Sequence, residues 1–179
     1  MKIAILGWGS LIWDPRELHY RGRWYRNGPT LPIEFSRISS DGRLTLVIDE
    51  KNGAQVVTRY SFSSLPDLKQ AISDLNAREG RPGSERIGFI ELKTNTSNPD
   101  AKAAHPIAFE RIRAWGIEKK LDAVIWTALG PNFDDRRKKP FSPQEAVKYL
   151  GEMKAALEYV RRAPKEVVTS VRVLWNGGK

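Results

Sequence analysis

Hydrophobic positions in the first sixty residues come in short runs rather than at helical spacing. Residues 2–6 form an apolar run suited to a buried strand. Residues 31–39 and 43–49 are two further strand-like runs joined by Ser40-Asp41-Gly42, and Asp-Gly is a strong hairpin signal. Residues 54–62 follow across another turn, Lys51-Asn52-Gly53. Three successive strands with tight turns predict an antiparallel meander rather than a series of strand–helix–strand units.

The period then changes. Ser64 is placed to cap a helix, Pro66 falls in its first turn, and Leu68, Ile72 and Leu75 recur at spacings of four and three before Gly80 ends it. Residues 86–92 read as a strand and the polar residues 94–104 as a loop. Ala108, Ile112 and Trp115 mark one face of a second helix ending near Gly116, and residues 123–128 form another strand-like run. Ser142-Pro143-Gln144-Glu145 is a capping box. From it Ala146, Leu150, Met153, Leu157 and Val160 predict one helix running to Pro164, and residues 167–174 a terminal β segment. No repeat or low-complexity linker interrupts the chain. The pattern predicts a single α+β domain over residues 1–179, a mostly antiparallel sheet or small mixed β-barrel with about three flanking helices.

Composition narrows the class. Of 179 residues, 40% are hydrophobic and 28% charged, ordinary values for a folded globular chain. No apolar stretch reaches the roughly 18 residues that span a bilayer, and the N-terminal run is too short for a signal peptide. The absence of cysteine excludes disulfides, thiolate metal sites and a cysteine nucleophile, and it suits a reducing compartment, so a cytoplasmic protein without membrane partners is expected.

The net charge of +9 raises the question of a polyanionic partner. The excess is spread over Arg21, Arg23 and Arg26, over Arg78, Arg81 and Arg86, over residues 136–139, and over Arg161 and Arg162. No nucleic-acid motif organises it. A basic surface that attracts small acidic substrates accounts for the same charge. A non-catalytic module binding an anionic ligand or RNA is the alternative, with Arg21, Arg23, Trp24 and Tyr25 as its basic-aromatic cluster. Arg136-Arg137-Lys138-Lys139 reads as a solvated loop and Trp126 as a buried side chain. His19 and His105 lack ligand spacing and read as surface or packing residues.

Two features carry candidate chemistry. Gly7-Trp8-Gly9 directly follows the first strand, as in a dinucleotide fingerprint, but Ile12 occupies the place of the third glycine. Trp13-Asp14-Pro15 does not open a helix, and Glu34, the acidic candidate, lies within a hairpin strand. Two readings of the turn stand open: its N–H groups and the Ser10 hydroxyl cradle a carboxylate, or it is a tight strand exit that lets Trp8 and Trp13 pack. The second feature is Glu79. Continuing the stripe of Leu68, Ile72 and Leu75 by four places it in line with core leucines at a helix C-terminus. Desolvation and the macrodipole would both raise its pKa there, as a general acid/base requires. The alternative is a frayed last turn in which Glu79 meets solvent, Arg78 or Arg81.

Together these features resemble the γ-glutamylcyclotransferase superfamily, including its ChaC-type branch. Gly7-Trp8-Gly9-Ser10-Leu11-Ile12-Trp13 is similar to that family's Tyr-Gly-Ser-Leu-like loop, with Trp8 standing where tyrosine is usual. Leu75-Asn76-Ala77-Arg78-Glu79 resembles the stretch that carries the ChaC-type catalytic glutamate. Phe35-Ser36-Arg37 and the hairpin from Gly42 to Val47 add to the likeness, which runs over residues 2 to about 92; Glu85 stands loosely for a further family glutamate. The resemblance implies a small mixed β-barrel that closes a γ-glutamyl amide or peptide, glutathione among them, to 5-oxoproline. It implies Glu79 as the proton-transferring residue, Gly7, Trp8, Gly9, Ser10 and Leu11 as substrate-binding residues, and neither metal nor organic cofactor.

Overall fold

The computed structural model describes residues 1–80 and 86–177. Among them the strands are β1 (Ile3–Gly7), β2 (Tyr20–Tyr25), β3 (Thr30–Ile38), β4 (Leu44–Ile48), β5 (Ala54–Val57), β6 (Arg59–Ser63), β7 (Ile87–Glu91), β8 (Thr96–Ser97) and β9 (Ala123–Thr127). The helices are α1 (Leu68–Glu79), α2 (Pro99–Ala104), α3 (Pro106–Glu118), α4 (Phe133–Arg137), α5 (Pro143–Glu152), α6 (Lys154–Arg162) and α7 (Ser170–Gly177). A six-stranded sheet runs β2-β6-β1-β9-β7-β8 and a three-stranded sheet β4-β3-β5. Pairing among the described residues is antiparallel except between β1 and β9. The α+β class holds, but the two sheets do not join into a closed barrel, and the helices number seven among the described residues rather than about three.

The central strand β1 is buried along its whole length because both faces of the large sheet are covered. Ile3 and Ile5 enter one apolar cluster with Ala71 and Leu75 of α1 and Ile125 of β9. Ala4 and Leu6 enter the other, with Phe35, Leu46, Tyr159 and Trp126. Residues of β9 alternate in the same way, Ala123 and Ile125 against Val124 and Trp126. Trp126 is buried, as expected.

Several expectations are corrected. The meander breaks at Thr58, whose backbone N–H and hydroxyl both donate to the Pro29 carbonyl at 3.1 and 2.8 Å. The run read as one strand is therefore two, β5 beside β3 and β6 beside β1. The cap of α1 is Asp67, accepting from the Gln70 N–H at 2.9 Å, rather than Ser64, and Pro66 lies outside the helix. Residues 94–104 contain β8 and α2, because Asn98 caps α2 through the N–H groups of Asp100 and Ala101. Helix α3 passes Gly116 and ends at Glu118. The expected long helix is divided at Met153, which is extended between α5 and α6, next to the weak helix former Gly151. Of residues 136–139, read as a loop, Arg136 and Arg137 instead close the helix α4, which is anchored by buried Phe133.

The predicted terminal strand is helix α7. The buried Glu34 carboxylate accepts from the Ser170 N–H at 2.9 Å at its start. Arg172, also buried, donates to the carbonyls of Val160, Ala163 and Val167 at 2.6, 3.2 and 3.0 Å, docking α7 on the end of α6. These tertiary bonds override the local preference of the valines for strand. Among the described residues no helix is long and apolar enough to cross a membrane.

Candidate functional site

Because β1 and β9 are parallel, the loops after both strands leave the same edge of the large sheet, a common place for a cleft. A cavity of about 150 Å³ opens there. Gly7, Trp8, Gly9, Ser10 and Leu11 line it from the end of β1 and Thr127 and Leu129 from the end of β9. Arg86 lies beside β9, where its carbonyl accepts from the Ala128 N–H at 2.7 Å. The end of α1 contributes Asn76, Arg78 and Glu79; β3, β4 and the hairpin between them add Arg37, Ser39, Arg43 and Thr45; α6 contributes Tyr159.

The structure thus brings the glycine loop and Glu79 to one cavity, although they are far apart in sequence. It corrects the reason for Glu79's position. The buried positions of α1 are Ala71, Leu75 and Arg78, so the stripe continues through Arg78. The Glu79 side chain keeps 22% exposure and pairs with Arg78 Nη1 at 2.8 Å, the partner named in the alternative reading. Arg81 and Glu85 lie outside the described residues. Gly80 ends the helix in the left-handed conformation, φ 68°, as its placement predicted.

Arg78 is the hub of the site. Its Nη2 donates to Ser10 Oγ at 3.2 Å and to the Asp14 carbonyl at 2.6 Å, and its own carbonyl accepts from Arg16 Nη1 at 3.2 Å. A side chain 6% exposed therefore ties α1 to the glycine loop. Its sequence signal was the 71–75–78 spacing, which a charged residue disguises.

Both glycines of the loop answer to an approaching aromatic ring. A Cβ on Gly7 would lie 2.8 Å from the Trp24 ring, and one on Gly9 would lie 2.5 Å from the Tyr159 hydroxyl. That hydroxyl accepts from the Ser10 N–H at 3.2 Å, so one of the donors assigned to a ligand is already engaged. The tight-exit reading accounts for the glycines, with Trp24 and Tyr159 as the rings accommodated. Trp8 is buried, its Nε1 donating to the Leu46 carbonyl at 3.3 Å. Burial pushes the Tyr159 hydroxyl pKa up and the Glu79 charge acts in the same direction, against hydrogen bonding to Ser10 and the Leu46 backbone. Tyr159 had no local signal, since its partner Ser10 is at the other end of the chain.

The cavity is cationic. Among the described residues Arg16, Arg37, Arg43, Arg78 and Arg86 line it against one carboxylate, Glu79. Arg86 Nη1 and Arg78 Nε are buried with no acceptor among the described residues. The Arg21–Tyr25 cluster lies instead on the edge strand β2, where Trp24 packs over Gly7. The histidines are apart: His19 is exposed and pairs with Asp74 at 2.7 Å, and His105 is buried. Among the described residues no group of three or more His, Asp or Glu side chains could hold a metal ion.

No family model, curated protein or solved structure matches the chain. The functional reading therefore rests on the cavity itself.

Proposed function

We propose that the protein is a γ-glutamylcyclotransferase-type enzyme that closes γ-glutamyl amides or peptides to 5-oxoproline, on a fold of that family's kind. The observation that supports this reading is the meeting of Glu79 and the Gly7–Leu11 loop in one cavity. In the reaction the α-amine attacks its own γ-carbonyl carbon, a C–N bond closes the five-membered lactam, and the original amide C–N bond breaks. Glu79 takes one ammonium proton before the attack and passes it to the departing nitrogen, then takes the second from the newly bonded nitrogen and hands it to the released amine, which leaves as an ammonium, so protons balance without a co-reactant. Because the attack is intramolecular, the protein chiefly holds the chain folded. The Ser10 N–H is committed to Tyr159. The N–H groups of Gly9 and Leu11, at the open start of a 3-10 turn (Ser10–Ile12), are assigned the developing oxyanion. The arginine wall takes the substrate's carboxylates.

The test is 5-oxoproline release by wild type and Glu79→Gln on glutathione, γ-glutamyl dipeptides and γ-glutamylamines. Loss of general acid/base transfer predicts a fall in kcat of about 10²–10⁴-fold. Full activity in a folded Glu79→Gln variant would sink the assignment. The cationic lining favours a second reading, a binding module for an anionic ligand, which the same panel separates through ligand binding without turnover.

A further inference from the structure

The β9 side of the cavity is built from alternate residues. Thr127 and Leu129 line it, while Ala128, Gly130 and Asn132 are tied to the protein around it. The Ala128 N–H donates to the Arg86 carbonyl at 2.7 Å. The Gly130 carbonyl accepts from Arg37 Nη1 at 2.8 Å. Asn132 donates its N–H to the Ser36 carbonyl at 3.2 Å and makes two side-chain bonds with the Ile38 backbone, at 2.7 and 3.0 Å. Anchors on both sides of Leu129 thus fix where its side chain stands in the cavity.

His105, at the start of α3, supplies a further anchor. Its ring donates to the Ala128 carbonyl, and Nε2 has no partner among the described residues. The donor is therefore Nδ1, and Nε2 carries the bare lone pair of the neutral ring. That edge of the ring lies against Gly130: a Cβ there would be 3.4 Å from Cε1 and 3.7 Å from Nε2.

Protonation adds a donor at Nε2, buried against a glycine with nothing to receive it, and an unpaired buried charge is costly. The charges around the ring do not relieve it. Asp49 and Glu50, at the end of β4, attract a cation, but their carboxylates are engaged by the N–H groups of Lys51 and Asn52 and of Ala108. Lys102 of α2, standing over the Phe109 ring, and Arg37 of β3, held at Gly130, are both positive. Burial accordingly pushes the His105 pKa down, against Glu50, the Ala128 bond and Asp49. Relief requires the segment 128–132 to draw back and admit water to Nε2.

We propose that His105 positions the β9 wall of the cavity and does so only as the neutral imidazole. On protonation the segment 128–132 draws back, Leu129 leaves its place and the Gly130 carbonyl releases Arg37, so the cavity loses its ligand in acid. This goes beyond the cyclisation reading, since it holds for any occupant of the cavity.

Nuclear magnetic resonance on the full chain tests the wall without a ligand. The His105 ring nitrogens, the Leu129 methyls and the Gly130 amide are followed from neutral pH down to acid unfolding. The ring should show the Nδ1–H tautomer at neutral pH, and the Leu129 and Gly130 signals should move with the ring's own midpoint, below pH 6.5. His19, exposed and paired with Asp74, controls for a general effect of acid. His105→Asn keeps a donor for the Ala128 carbonyl and does not titrate, so both signals should stay still over the same range. His105→Leu removes the donor and should give the acid positions already at neutral pH. Leu129 and Gly130 signals that ignore the ring, or a ring that stays neutral until the chain unfolds, would overturn the proposal.

The same proteins give a kinetic readout on the γ-glutamyl panel. With ligand binding only the neutral form, KM rises by up to about tenfold per pH unit below the ring's midpoint. Wild type should show that rise relative to His105→Asn, with kcat alike in the two. Equal KM throughout would also overturn the proposal. An absence of turnover removes the cyclisation reading alone, because the resonance titration decides the wall.

Discussion

The contact between Gly9 and Tyr159 allows a double substitution to test the packing of the site quantitatively. In Gly9→Ala the new Cβ would sit 2.5 Å from the Tyr159 hydroxyl oxygen, while the next atoms, Leu46 Cβ and Tyr159 Cζ, are at 3.8 Å. Gly9 has φ −125°, so the strain comes from this one oxygen rather than from left-handed backbone. Forcing a buried ring aside costs about 1–3 kcal/mol. Tyr159→Phe removes the oxygen and strands the Ser10 N–H, which loses its 3.2 Å bond, at about 1–3 kcal/mol.

The double variant should behave differently from the sum. Without the hydroxyl, the alanine Cβ meets the ring carbon at an ordinary 3.8 Å, so the clash disappears. Alanine also restricts the unfolded chain, which is worth about 0.4–1 kcal/mol in its favour. Gly9→Ala should therefore destabilise wild type and be neutral or stabilising in the Tyr159→Phe background, a coupling of about 1–3 kcal/mol. Urea unfolding of the four proteins measures it, read from midpoints at constant slope. Additivity within about 0.5 kcal/mol would show that the two groups do not meet as described and would refute the account of Gly9.

Two further predictions concern stability. His105 is buried, its Nε2 has no partner among the described residues, and its pKa is lowered from the ordinary 6.5 chiefly by burial, against the charges of Glu50 and Asp49 and a hydrogen bond that the ring donates to the Ala128 backbone. A depressed folded pKa gives stability that is present above pH 6.5 and lost as pH falls towards the folded value, at up to about 1.4 kcal/mol per pH unit. Wild type should lose stability over that window relative to His105→Gln in thermal melts, and parallel pH curves would refute this. Arg172→Met should cost about 3 kcal/mol by stranding the carbonyls at the end of α6, a fall of roughly 6–12 °C in Tm. A melt within a degree or two of wild type would contradict the docking role.

Legibility followed the range of the interactions. β1, the Asp41-Gly42 hairpin, the Ser142 cap and the Gly80 stop are written in neighbouring residues, and each appears where the pattern put it. Thr58, Glu34 and Arg172 act through distant partners, so the split of β5 from β6 and the helical end of the chain were not legible. Glu79 shows how the two ranges combine. The helix period singled it out and it does line the cavity, but the buried residue of that turn, on which the stripe continues, is its neighbour. Arg78 is buried because three acceptors, Glu79, Ser10 and the Asp14 carbonyl, converge on its guanidinium from two segments. A lone arginine on that stripe would be expelled to solvent, and a lone glutamate there would fare no better. The carboxylate and the glycine loop are therefore placed by the same cation, which is why an apparently misplaced charge on α1 marked the cavity even though the buried stripe runs through Arg78.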